Sequence, residues 1–406
     1  MFEMKQNGKT QERKGIVPMH RMTSPRIAPL PLDAWDPELR ARFERPGGLG
    51  QVLNVMKTLA NYPELFRRWL VFANHFLFKS TLTPHDREIL ILRTGWLAGC
   101  AYEWGQHLRI AATDAGFATA EFEALAEGAA ASRWSTAEAA LIRAADGLYV
   151  DAFVDDATWQ TLAAHYNEQQ LLDIVFMVGN YLMLAMGINA FGVQLDHGYD
   201  GFRPGLPMNH QRPGDTLPTM SVRRATPRLT PLADADCSPA QRELLTKARG
   251  HLPSVNVLDT VIRHPDLLRR WLPFFTHVLH KSSLSARDRE ILILRTGRLC
   301  GAAYEWAQHV PFAERAGLSA HEIRGIAAGA TAAVWSHAHD RTLIRAADQL
   351  HRDTMLDDAT WAALAERYDQ RQIMDAIFTV GQYRLVSAAL NTLCVQLDAY
   401  LTPYAA

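Results

Sequence analysis

Apolar residues recur along the chain at spacings of three and four rather than alternating. No β-branched run is bounded by hairpin dipeptides, so the pattern is helical throughout. Thr83-Pro84-His85-Asp86 supplies an N-cap threonine, a proline at the first helical position and an acid at the third. Ser285-Ala286-Arg287-Asp288 repeats this register, so a helix is predicted to start at both places, with Asp86 and Asp288 serving in the caps. Gly99 or its neighbours break the first of these helices, and a second runs from Tyr102 to Gly116. Trp134-Ser135 and Trp335-Ser336 precede further helices, Asp155 and Asp357 others, and a long apolar helix from Gln169 closes the unit.

The punctuation returns because the sequence repeats. A shift of 202 residues lays DREILILRTG (Asp86 to Gly95) on an identical DREILILRTG (Asp288 to Gly297), and it also pairs LIRAAD, DDATW and Trp69 with Trp271. The period is far too long for a solenoid, so it marks a duplicated domain. The expected architecture is all-α: two tandem helical-bundle domains, each of roughly six to eight helices, related by a pseudo-two-fold axis inherited from an ancestral homodimer. The first domain covers residues 25–202 and the second 227–406. Residues 203–226, rich in Pro and Gly, read as a linker, and the polar segment 1–24 as a disordered leader.

The stretch from Ile174 to Val193 has about the length that crosses a bilayer. Its counterpart carries Gln382 and Arg384, so both are expected to be core helices. With 42 basic and 43 acidic residues, the chain has no overall field to attract nucleic acid or an anionic membrane. The four cysteines (Cys100, Cys237, Cys300, Cys394) show no paired spacing, which points to reduced thiols and a cytoplasmic setting.

Candidate chemistry sits after the Gly99 break. Cys100, Glu103 and His107 fall at i, i+3 and i+7, within about 60° of one another on a helix. A thiol, a carboxylate and an imidazole can then meet in one pocket and exchange protons. Trp104 beside them is expected to wall that pocket, with Trp306 its counterpart, and an apolar wall would drive Glu103 towards its protonated form. Taken singly, such residues are more often a solvated pair or a small buried hydrophobe. Their repetition as Tyr304-Glu305-Trp306 and Gln308-His309 indicates a shared constraint, which packing alone could also supply. The cysteine is not shared: Ala302 takes its place, and Cys300 pairs instead with Ala98.

Other candidates are weaker. Arg67-Arg68 and Arg269-Arg270 could grip a carboxylate but read more readily as solvated helix edges. Arg93 and Arg295, inside ILILRTG, are expected to be buried and ion-paired with a nearby acid. His75 and His277 could join Glu103 and His107 at a metal, but no dense cluster of metal-site spacing is present. The sequence has no glycine-rich phosphate loop, nucleophile elbow or dinucleotide fingerprint.

Glu88, then Cys100 twelve residues on, then His107 seven further, inside an all-α repeat, resembles the carboxymuconolactone decarboxylase and alkylhydroperoxidase D-like superfamily. The resemblance runs from about Leu65 to Asp196 and again from Leu267 to Asp398. In the peroxidase branch a second cysteine stands where this chain has Glu103, and a disulfide relay needs that thiol. The decarboxylase branch works without metal or organic cofactor, and its reaction on a carboxylated lactone requires proton delivery to a developing enolate. The resemblance therefore implies a cofactor-independent lyase or isomerase acting on a small carboxylated or lactone-type metabolite. Its acid and base would be His107 and Glu103, supported by Glu88 and Cys100, with Glu290, Glu305 and His309 forming a second, altered site. It also implies assembly into a homo-oligomer through helical faces. The rival readings are a thiol-dependent hydroperoxide reductase built on Cys100, Glu88 and His107, and a non-catalytic binding module.

Overall fold

A computed structural model of the chain describes residues 22–44, 52–203, 212–214, 216–250 and 254–403. Among these residues all regular structure is helical. The first half holds α1 (Pro37–Phe43), α2 (Asn54–Leu59), α3 (Pro63–Phe78), α4 (Pro84–Leu97), α5 (Ala101–Asp114), α6 (Thr119–Glu127), α7 (Thr136–Val150), α8 (Asp156–His165) and α9 (Glu168–Phe191). The second repeats them as α10 (Pro239–Arg249), α11 (Asn256–Val261), α12 (Pro265–Thr276), α13 (Ala286–Leu299), α14 (Ala303–Arg315), α15 (Ala320–Ala328), α16 (Ala338–Asp353), α17 (Asp358–Ala365) and α18 (Gln370–Leu393). Each half thus has more helices than expected, because α1 and α2 span only seven and six residues, too few for a periodic signal. Most of the expected leader and part of the linker lie outside the described residues.

The local signals act as the sequence indicates. Thr83 Oγ1 accepts from the Asp86 amide and Ser285 Oγ from the Asp288 amide, opening α4 and α13. Asp86 and Asp288 go beyond capping, since Asp288 Oδ2 also accepts from the Tyr368 hydroxyl at 2.7 Å. Ser135 and Glu138 form a capping box at α7, whereas α16 starts after His337, which makes no side-chain cap. The Trp335-Ser336 pair precedes α16 as expected, but one residue further upstream than Trp134-Ser135 stands before α7. In α12, Pro273 takes the place of Val71, and a π-helical turn, His277–Lys281, follows where α3 continues unbroken.

Helix α9 is the one described helix long and apolar enough to span a membrane, and its apolar window is wholly buried inside the protein. It packs along α18, and the contact is reciprocal. A side chain at Gly179 would meet Leu385 and one at Gly381 would meet Met183, the same pair seen from the two ends. Arg26 reaches Asp358 at 2.5 Å while Arg228 reaches Asp156 at 2.6 Å. Asn189 donates to the Thr354 hydroxyl and Asn391 to the carbonyl of Ala152, the position that matches Thr354. Each residue thus finds across the seam the partner that its counterpart finds, as an isologous contact requires.

Candidate functional site

The antiparallel helices α4 and α5 bring Glu88 and His107 together. Glu88 is fully buried, its Oε2 lying 2.7 Å from His107 Nδ1, and Oε1 accepts from Arg87 Nε at 3.0 Å. This carboxylate fixes the imidazole and leaves Nε2 as its working atom. Tyr181 of α9 meets the His107 ring edge to face at 5.1 Å. Glu103, one turn before His107, is buried, and among the described residues neither of its carboxylate oxygens has a hydrogen-bond partner. Burial alone pushes its carboxyl well above the usual range, so it holds a proton.

The second half arranges the same residues differently. His309 lies between two carboxylates, with Nδ1 2.7 Å from Glu290 Oε2 and Nε2 3.0 Å from Glu305 Oε1. Burial by itself would lower the pKa of His309, but the charge of Glu290 and hydrogen bonds to both glutamates outweigh it and raise it to about 9. Tyr383 stands edge to face on this imidazole at 4.9 Å.

Glu305 and His309 open onto a cavity of about 550 Å³. Trp271, Phe275 and Phe312 supply apolar walls, and Arg68, Arg269 and Lys281 bring cations to it. Arg269 is already paired with Asp266, whereas Arg68 and Lys281 have no ion pair among the described residues. Arg68 comes from α3 of the first half, so this cavity is built by both halves. The wall residues Lys247, Ala248 and Arg249 correspond in the first half to residues 45–47, which lie outside those described.

The expected stripe is partly realised. Cys100 is buried and occupies the N-cap position of α5, just ahead of Glu103 and His107. Trp104 and Trp306 do not wall the Glu–His sites. Trp104 packs on Trp96 at 5.4 Å and borders a separate depression with Arg109 and Arg203, and Trp306 borders another with Val310 and Pro311. The reason is the 100° turn per residue, which carries a neighbour in sequence away from Glu103 or Glu305. The Tyr and Gln of the repeated YEW-x-QH motif act as anchors, since Tyr102 and Gln106 bond Asp196 while Tyr304 and Gln308 bond Asp398.

Arg93 pairs with Asp146 at 2.7 Å and Arg295 with Asp348 at 2.6 Å, as expected for buried guanidinium groups. Arg67 forms surface pairs with Asp36, Glu38 and Glu64. His75 and His277 do not join the glutamates of the site but face Asp173 and Asp375. Sequence reasoning missed those two aspartates, concealed within apolar helices, and it weighed Arg68 as a carboxylate grip but favoured a solvated helix edge, whereas Arg68 borders the cavity of the second half. It also noted Arg384 only as a polar interruption. This guanidinium is fully buried and bonds His351 and the Tyr149 carbonyl, with Cys300 Sγ 3.9 Å from the same imidazole.

No curated protein matches the chain. The carboxymuconolactone decarboxylase family model matches twice, at residues 63–147 and 265–349, the segments that carry both Glu–His sites.

Proposed function

From a chain whose halves each carry a carboxymuconolactone decarboxylase family domain, we propose a cofactor-independent lyase or isomerase that works by acid–base chemistry on a small carboxylated or lactone-type metabolite. The observation that carries this reading is the buried line Glu290–His309–Glu305 opening onto a cation-bordered cavity. With its pKa near 9, His309 carries a proton at neutral pH, and Glu290 holds the imidazolium in place. Arg68 and Lys281 orient the substrate carboxylate in this reading, while the aromatic walls take the apolar body. Loss of CO2 breaks the bond from the carboxylate to its carbon and leaves the electron pair in a conjugated carbonyl as an enolate. His309 Nε2 delivers the proton that closes the reaction. In the first half, Glu103 holds its proton by burial and is the acid beside His107.

The test is CO2 release and solvent-deuterium incorporation across a panel of carboxylated lactones. His309→Ala and Glu103→Gln should each lower the turnover of their own site by roughly two to four orders of magnitude, as expected for a lost proton-transfer group. Parent-like turnover in the His107→Ala, His309→Ala double variant would remove the proposal. A thiol mechanism instead needs Cys100, which is fully buried and has Ala302 as its counterpart in the half with the described cavity. Thiol-dependent peroxide reduction abolished by Cys100→Ala would support that mechanism.

A further inference from the structure

Three buried side chains from separate parts of the chain converge at the seam between the halves, and the acid–base reading uses none of them. His75 lies in the last turn of α3, Asp173 in the second turn of α9, and His264 just before α12 in the second half. His75 Nε2 is 2.7 Å from Asp173 Oδ1, and His264 Nε2 is 3.2 Å from the same oxygen. A ligand atom from each of the three lies within 4.8 Å of the other two.

The carboxylate uses its two oxygens differently. Oδ2 accepts from Ser80 Oγ at 3.0 Å, the Thr81 amide at 2.7 Å and Thr81 Oγ1 at 2.9 Å, so it is held by the loop between α3 and α4. Oδ1 is left facing the two imidazoles. His264 lies close enough to it for an ion pair, yet the angle is not that of a hydrogen bond, and His264 Nε2 has no hydrogen-bond partner among the described residues. A buried nitrogen aimed at a shared point without a bond is a costly arrangement unless something occupies that point.

We propose that His75, Asp173 and His264 bind one divalent transition-metal ion, with Zn2+ favoured by the donor set, and that this ion clamps the two halves together. Two imidazole nitrogens and one carboxylate oxygen suit Zn2+, with water as the fourth ligand, and Ser80 and Thr81 supply the outer hydrogen bonds that orient the carboxylate. Metal–donor lengths near 2.1 Å set tetrahedral neighbours about 3.4 Å apart, so Asp173 Oδ1 would withdraw from His75 by under 1 Å on loading.

The chain contains its own control. At the matching place, His277 Nε2 lies 3.4 Å from Asp375 Oδ1, but Tyr62 stands where His264 does and donates its hydroxyl to Asp375 Oδ2 at 3.2 Å. Burial and the Asp375 charge push the Tyr62 phenol upward, so it keeps its proton and is a poor ligand. One ion per chain is the expected load.

The full chain, stripped with a chelator, is titrated with Zn2+ by calorimetry and with Co2+ by absorption spectroscopy. The proposal expects saturation at one ion per chain, visible bands of four-coordinate Co2+, and a thermal midpoint that rises with Zn2+ and falls with chelator. His264→Tyr, which rebuilds the arrangement already tolerated at Tyr62, should abolish all three responses and leave the helical circular dichroism intact. Asp173→Asn should weaken binding at least tenfold. The proposal fails if the parent shows no saturable binding, a result that needs no variant to fold. It also fails if His264→Tyr and His75→Gln bind as the parent does, or if binding is lost instead in His309→Ala, which would move the ion to the cavity.

Discussion

Glu103 and Glu305 occupy matched positions in different surroundings. Among the described residues Glu103 has no hydrogen-bond partner for either oxygen, whereas Glu305 faces His309 at 3.0 Å. Folding therefore takes up a proton at Glu103 whenever the unfolded carboxyl is ionised, above its ordinary value of 4.5. Glu103→Gln removes that cost, so its thermal midpoint should exceed the parent's at pH 7 and match it at pH 4. Equal differences at the two pH values would contradict a buried protonated Glu103. His309 has the opposite linkage. Its pKa is raised from 6.5 to about 9, so its stabilising contribution is complete below pH 6.5 and is lost as pH rises through 9. Urea midpoints of the parent should fall across that window, and those of His309→Gln should fall less. The Glu–His spacing was legible in the sequence because helical geometry fixes which residues share a face. The Glu88–His107 bond joins two helices and was legible only through family resemblance, and Arg68 reaches its cavity from another domain, which no local pattern records.

At the scale of elements, the long helices α9 and α18 approach closely at two glycines. An added methyl at Gly381 would strike the stem of Met183, and one at Gly179 the branch point of Leu385, neither of them a freely moving tip. Gly179→Ala and Gly381→Ala should each cost roughly 1–3 kcal/mol in chemical denaturation, as overpacked cores do. A cost below that of Ala substitutions at exposed sites would show that the helices can part without penalty. The caps give a second contrast between the copies. Ser135→Ala should destabilise by about 1 kcal/mol, whereas His337→Ser, supplying the cap α16 lacks, should stabilise. Denaturation midpoints of the two variants read this directly. Strong caps with proline or acid in the first turn made α4, α7 and α13 legible. Helix α16 starts one residue further beyond its Trp-Ser pair than α7 does because the loop before it, residues 329–337, is one residue longer than its counterpart, residues 128–135, so the tryptophan that marks it no longer keeps the repeat spacing.

At the scale of the molecule, the halves share their longest buried helices and two Arg–Asp contacts, one at each end of the seam. Unfolding either half alone would expose the apolar flank of the other, so calorimetry should show a single cooperative transition. Two resolved transitions would mean that the seam contributes little. The duplication itself was plain in the sequence, but the assignment of Arg68 and His264 to sites in the opposite half was not. The reciprocal seam has a consequence for how such a protein can change. In a pair of identical chains every substitution arrives twice, once at each end of the contact, and must suit both. Here the ends are encoded separately, and they have already parted: Tyr62 faces one aspartate and His264 the other, while Leu182 in α9 corresponds to Arg384 in α18. The chain is in effect a heterodimer whose subunit ratio cannot drift, free to specialise one chamber while the other keeps the fold.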